Sequence, residues 1–126
     1  MFYPFYFLIT YHILMYHIEP SVEIGGGLLL HNMDIVITDK TKIGENVSIM
    51  GQTTIGTDFV ASYPNNETLI EIGDNVKIGT GAKIIAKKRL VISNNVIIGA
   101  NAVVTKSIHE KGAVYAGIPA KILAKK

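Results

Sequence analysis

The chain is 126 residues long, 48% hydrophobic and 17% charged, with a net charge of +2 and no cysteine. That length is one domain, and the missing cysteines exclude disulfides and thiolate metal sites. A charge so near zero, with no interleaving of aromatic and basic residues, excludes nucleic acid as a partner.

Met1 to Ile18 carries no Asp, Glu, Lys or Arg and is rich in Tyr, Phe, Leu and Ile. It lacks the basic n-region and small-residue cleavage site of a signal peptide. It falls short of the about 20 apolar residues a membrane span needs, and Pro4, His12 and His17 interrupt it. The expectation is an apolar cap over residues 1–17, packed across the end of the domain. Membrane association through residues 1–18 is the second reading. The absent cysteines fit a reducing cytoplasm, with peripheral contact to the inner membrane as the variant.

From Ile18 onward, aliphatic residues recur every six positions: Ile18, Ile24 and Leu30, then Ile37, Ile43, Ile49 and Ile55, then Ile72, Ile78 and Ile84, then Ile92, Ile98 and Val104. Six is the period of neither a helix nor an isolated strand. A second small or apolar residue follows four positions on, as at Val47, Thr53, Val76, Ala82, Val96 and Ala102. Two inward positions per hexad suit one short strand and its corner. Gly44, Gly73 and Gly79, with pairs such as Asp74-Asn75 and Asn94-Asn95, supply compact corners that tolerate left-handed backbone. No single coil buries its own core, so the coils must stack. The fold class expected is all-β, a parallel β-helix, in one domain over residues 1–126.

The repeat slips in three places. Leu30 to Ile37 is seven residues, Ile55 to Ile72 is seventeen, and Ile84 to Ile92 is eight. The second gap predicts a protruding loop over residues 57–71, carrying Tyr63-Pro64-Asn65-Asn66. The third holds Lys87-Lys88-Arg89, read as a solvated corner with a phosphate contact as the alternative. Function concentrates where loops leave a rigid scaffold. His31 sits at the first slip, where its ring is either a hydrogen-bonded structural group or a base facing a groove. Val104 to Ile108 is expected to close the last coil, with residues 113–126 forming a Gly/Pro turn and basic tail.

Several runs together resemble the hexapeptide-repeat acyltransferases, in their serine-acetyltransferase-like branch. They are Ile18-Glu-Pro-Ser-Val-Glu-Ile-Gly, Gly27-Leu-Leu-Leu-His31, Ile72-Gly-Asp-Asn-Val-Lys-Ile-Gly, Ile98-Gly-Ala-Asn-Ala-Val-Val and Ala116-Gly-Ile-Pro-Ala-Lys. The resemblance covers about residues 18–124. It implies a left-handed β-helix, an exception to the right-handed rule for parallel crossovers. It also implies a homotrimer with active sites between neighbouring prisms, and acetyl-CoA as co-substrate without a metal.

The resemblance further implies that His31 is the base of an acetyl transfer to a hydroxyl. Imidazole suits that task near neutral pH. Asp34 is the candidate acidic partner, with a turn role as its alternative. Thr80, Ala100, Ala116 and Gly117 fall where the family contacts CoA, and Lys106 and Lys121 are candidates for the CoA phosphates. Leu30 abuts His31, without the Asp that helps hold serine in serine acetyltransferases. The loop from Ala61 to Thr68 lacks their Arg-His pair, and the segment ahead of Ile18 is too short for their helical N-terminal domain. These departures turn the expectation towards a sugar or polysaccharide-precursor hydroxyl, with serine as the alternative acceptor. Two further alternatives are a zinc enzyme of the γ-carbonic-anhydrase kind, for which His12, His17 and His109 would be candidates, and a non-enzymatic scaffold.

Overall fold

The computed structural model describes residues 15–38, 40–58 and 68–125. Most of the expected cap, residues 1–14, and the core of the expected loop, residues 59–67, lie outside the described residues.

The period of six resolves into short strands wound as a three-faced prism. The first coil is β1 (Tyr16–Ile18), β2 (Glu23–Ile24) and β3 (Leu29–His31). The second is β4 (Ile35–Ile37), β5 (Thr41–Ile43) and β6 (Ser48–Met50). The third is β7 (Thr54–Thr57), β8 (Ile70–Ile72) and β9 (Lys77–Ile78). The fourth is β10 (Lys83–Ala86), β11 (Leu90–Ile92) and β12 (Ile97–Ile98). The fifth is β13 (Val103–Val104), a bridge from Ile108 to Ile92, and β14 (Ala113–Ala116). β15 (Lys121–Lys125) then turns back antiparallel on β14. Each face pairs parallel strands one coil apart: β1-β4-β7-β10-β13, β2-β5-β8-β11, and β3-β6-β9-β12-β14. The winding is left-handed.

Register puts aliphatic on aliphatic. On the first face Ile18, Ile37, Ile55, Ile84 and Val104 stack. On the second, Ile24, Ile43, Ile72, Ile92 and Ile108 stack. On the third, Leu30, Ile49, Ile78 and Ile98 stack, and Tyr115 ends the column. Ile37, Ile49, Ile55 and Ile84 are fully buried, as are the corner residues Val47, Val76, Val96, Ala82 and Ala102. Burying one such large side chain contributes about 1.5–3 kcal/mol. Ile24, which the period counts as inward, is 43% exposed. Among the described residues its coil has a neighbour on one side only. The repeat also runs past Ile108, where the sequence predicts its close, and β14 completes the fifth coil.

Corners are held by left-handed residues. Asn46, Asn75, Asn95 and Asn101 have φ of 55–61°. Side chains then bond from coil to coil: Asp74 Oδ1 accepts the Glu45 N–H and Asn94 Oδ1 accepts the Asp74 N–H, both at 2.8 Å. Buried Thr53 donates its hydroxyl to the Met50 carbonyl at 2.8 Å, so its polarity is satisfied. At the third slip, Arg89 forms an ion pair with Glu71 of β8, which commits the last cation of the basic run.

At the first slip, the corner after His31 takes one extra residue. Asn32 and Asp34 both adopt positive φ, 69° and 66°. The Tyr16 hydroxyl of β1 donates to the Asn32 carbonyl at 2.6 Å and pins this corner.

Two measurements test this account of the scaffold. Ile49→Ala in the buried third-face column lowers unfolding free energy by about 2–5 kcal/mol in chemical denaturation. Tyr16→Phe removes a single hydrogen bond and costs about 0.5–1.5 kcal/mol.

Candidate functional site

The edge between the third and first faces differs from the others. His31 ends β3 and is in register with Met50. The same column continues through Gly79 and Gly99 to Ala116. A Cβ built on Gly79 would lie 2.6 Å from the Ala100 nitrogen, and one on Gly99 would lie 3.1 Å from the Ala116 Cβ. Glycine is therefore required at Gly79, against backbone, and relieves a tight contact at Gly99. Its second effect is a furrow below His31, because no side chain projects at these two levels.

That furrow is a groove of about 450 Å³, lined by His31, Ser48, Met50, Lys77, Gly79 and Ala100 among others. His31 is exposed. Thr80 and Ala100 occupy successive turns of the same edge, and the Asn101 N–H donates to the Thr80 carbonyl at 2.8 Å. Ala116 ends β14, and Gly117 follows with φ of 95°. The Gly117 carbonyl accepts the Val103 N–H at 3.0 Å. Five residues chosen from sequence, His31, Thr80, Ala100, Ala116 and Gly117, thus share one edge. Lys83 stiffens it, donating from Nζ to the Gln52 carbonyl at 2.8 Å and the Gly81 carbonyl at 2.9 Å.

The other candidates stand apart. Lys106 and Lys121 line a separate cavity of about 470 Å³ at the C-terminal end, with Ser107, Tyr115 and Pro119. Asp34 is on the same corner as His31, exposed and in left-handed conformation. Among the described residues, no hydrogen bond joins it to His31. The described flanks of the expected loop, the end of β7 and the start of β8, meet at the edge between the first and second faces, a different edge from that of His31. Among the described residues, no three His, Cys, Asp or Glu side chains converge to hold a metal. His12 lies outside them. No helix among the described residues is long and apolar enough to cross a membrane.

Sequence reasoning missed Ser48, Met50, Lys77 and Ile97 as groove residues. Their signal was present: each sits beside an inward Ile of the third face, at a position that alternation turns outward. Tyr16 and Lys83 carried no such signal, because their bonds go to backbone carbonyls of other coils.

No protein-family model matches the chain. The serine acetyltransferase of Staphylococcus xylosus is 37% identical over 107 residues, covering 84% of this chain and 47% of that protein. The chain spans about half the length of the curated relatives it matches. Among solved structures, Brucella abortus strain S19 serine acetyltransferase in complex with coenzyme A superposes with a TM-score of 0.76. The identity is 31%, covering 86% of this chain and 42% of that one. A maltose O-acetyltransferase from Clostridium difficile 630 gives a TM-score of 0.67 at 29% identity, covering 87% and 63%. The repeat, the three-faced prism and these likenesses agree: the chain is a left-handed β-helix of hexapeptide repeats, similar over most of its length to part of the serine acetyltransferases.

Proposed function

We propose that this protein transfers an acetyl group from acetyl-CoA to a hydroxyl, with His31 as the base. The observation that carries the reading is an exposed histidine on the same edge as the small residues Gly79, Gly99 and Ala116, with Met50 between them. A pantetheine arm needs a long, shallow, uncluttered track, and the furrow over Gly79, Gly99 and Ala116 offers one. Thr80, Ala100, Ala116 and Gly117 supply backbone groups along it. Lys106 and Lys121, at the far end of the prism, are point charges available to the CoA phosphates. A protein related by sequence acts as a serine acetyltransferase, and a structural neighbour carries coenzyme A.

The chemistry asks little beyond this geometry. His31 accepts the acceptor's hydroxyl proton as its oxygen attacks the thioester carbonyl. The tetrahedral intermediate collapses, the carbon–sulfur bond breaks, and the proton passes to the departing CoA thiolate. Backbone N–H groups of a neighbouring coil are suited to hold the oxyanion. No acyl-enzyme is needed. A closed trimer would place a second prism against the groove and complete its outer wall.

Serine is the first acceptor to consider, because serine acetyltransferases recur among the relatives and neighbours. This weighs against the sugar hydroxyl favoured from sequence alone. The sugar reading keeps two supports: the likeness to a maltose O-acetyltransferase, and the lack of an Arg-His pair between Ala61 and Thr68.

A thiol-release assay with acetyl-CoA and a panel of serine and sugar acceptors tests the proposal. His31→Ala is expected to lower turnover about 100-fold or more with unchanged thermal unfolding. Near-normal turnover in that variant removes His31 as the base.

A further inference from the structure

The third face carries a second feature, on its opposite edge. There the corners from the second face to the third hold Asn75 and Asn95, both with positive φ. Next to them is a cavity of about 590 Å³, lined by Asn75, Lys77, Asn95, Ile97, Lys111 and Gly112. That volume is within the roughly 300–1,000 Å³ range of small-molecule sites. The lining holds two lysines, two carboxamides and no carboxylate.

Within that lining no carboxylate faces the two lysines. Neither Lys77 nor Lys111 has a side-chain ion pair or hydrogen bond among the described residues. Of the nearby acids, Glu71 pairs with Arg89 and Glu110 pairs with Lys125 at 2.5 Å, while Asp74 lines a neighbouring cavity that Lys111 also borders. Lys77 and Ile97 also line the groove under His31, so the two cavities meet across the width of one short strand. Lys77 is two coils from β3, in register with Ser48 and Leu29 rather than with His31, and coils stack about 4.8 Å apart. A group held between Lys77 and Lys111 is thus roughly 10 Å or more along the prism from the reacting hydroxyl, by the same spacing. A serine side chain and its own carboxylate are too close together to occupy both places.

We propose that this cavity is an anion subsite for the acyl acceptor. It takes a phosphate or carboxylate carried by a saccharide-sized molecule whose hydroxyl reaches His31. The inference rests on the acetyl-transfer reading above. It divides the third face between two ligands: the donor follows the edge of Thr80, Ala100 and Gly117, and the acceptor's anion follows the edge of Asn75, Asn95 and Lys111. The two meet at Lys77.

The test compares glucose 6-phosphate, glucuronate, glucose and L-serine as acceptors, for the full chain and for Lys111→Met. Lys111 is exposed and outside the groove under His31, so the fold and the donor track survive the change. The expected result is a KM for the anionic sugars raised about 10-fold, the loss of one charge-assisted contact. The KM for acetyl-CoA, and turnover with glucose, should stay within about two-fold. A raised KM for acetyl-CoA would mean that Lys111 holds the donor, and equal KM values for charged and neutral sugars would mean that the cavity holds no acceptor anion. Either result overturns the subsite. An NMR titration of the Lys77 and Lys111 side chains with glucose 6-phosphate separates the two readings. Saturable shifts without thiol release defeat the transferase reading and leave the anion site standing. Thiol release without any lysine shift does the reverse.

Discussion

Everything in this molecule depends on one constraint: each coil must sit directly over the last, at hydrogen-bonding distance, with its Ile columns in register. Backbone N–H groups donate down the stack, as from Gly25 to Ile43, Gly44 to Ile72 and Gly73 to Ile92, each at 2.8 Å. The strands are two to five residues long and none is stable alone. What fixes them is repetition, since buried Ile37, Ile55 and Ile84 each rest on the coil below. The same demand dictates the corners. Where coils approach closely, only Gly fits, and where the chain must turn with positive φ, Asn is used.

The candidate site is a consequence of that demand. Gly79 and Gly99 are small so that the coils can stack, and their smallness leaves a furrow on one edge. The slip between Leu30 and Ile35 lengthens a single corner, and His31 stands at its start. Tyr16 and Lys83 then tie that edge to its neighbours through backbone carbonyls. A rigid edge with a single exposed imidazole at its head is a sound base for a reaction that needs positioning above all.

Much of this was readable from the chain. The period of six gave the columns, the Asn-containing pairs gave the left-handed corners, and the slip drew attention to His31. Other features were not, for identifiable reasons. The hand of the helix has no local signature in the residues. The fifth coil was hidden because the spacing from Ile108 to Ala113 is five, against four from Ile92 to Val96, so the pattern loses phase at Gly112. Lys77 reads as an ordinary charged residue until register shows that it lies between two cavities. The acceptor is harder still. Sequence departures near His31 and in the loop pointed to a sugar, whereas the relatives weigh towards serine.

The central claim is that the donor lies along the edge of the third and first faces, with its thioester beneath His31. Backbone and imidazole NMR shift mapping of the full chain with coenzyme A tests this most directly. The account predicts saturable shifts at His31, Gly79, Thr80, Ala100, Ala116 and Gly117. Shifts confined to the second face, around Lys42, Glu71 and Val91, where a separate cavity lies, would contradict it.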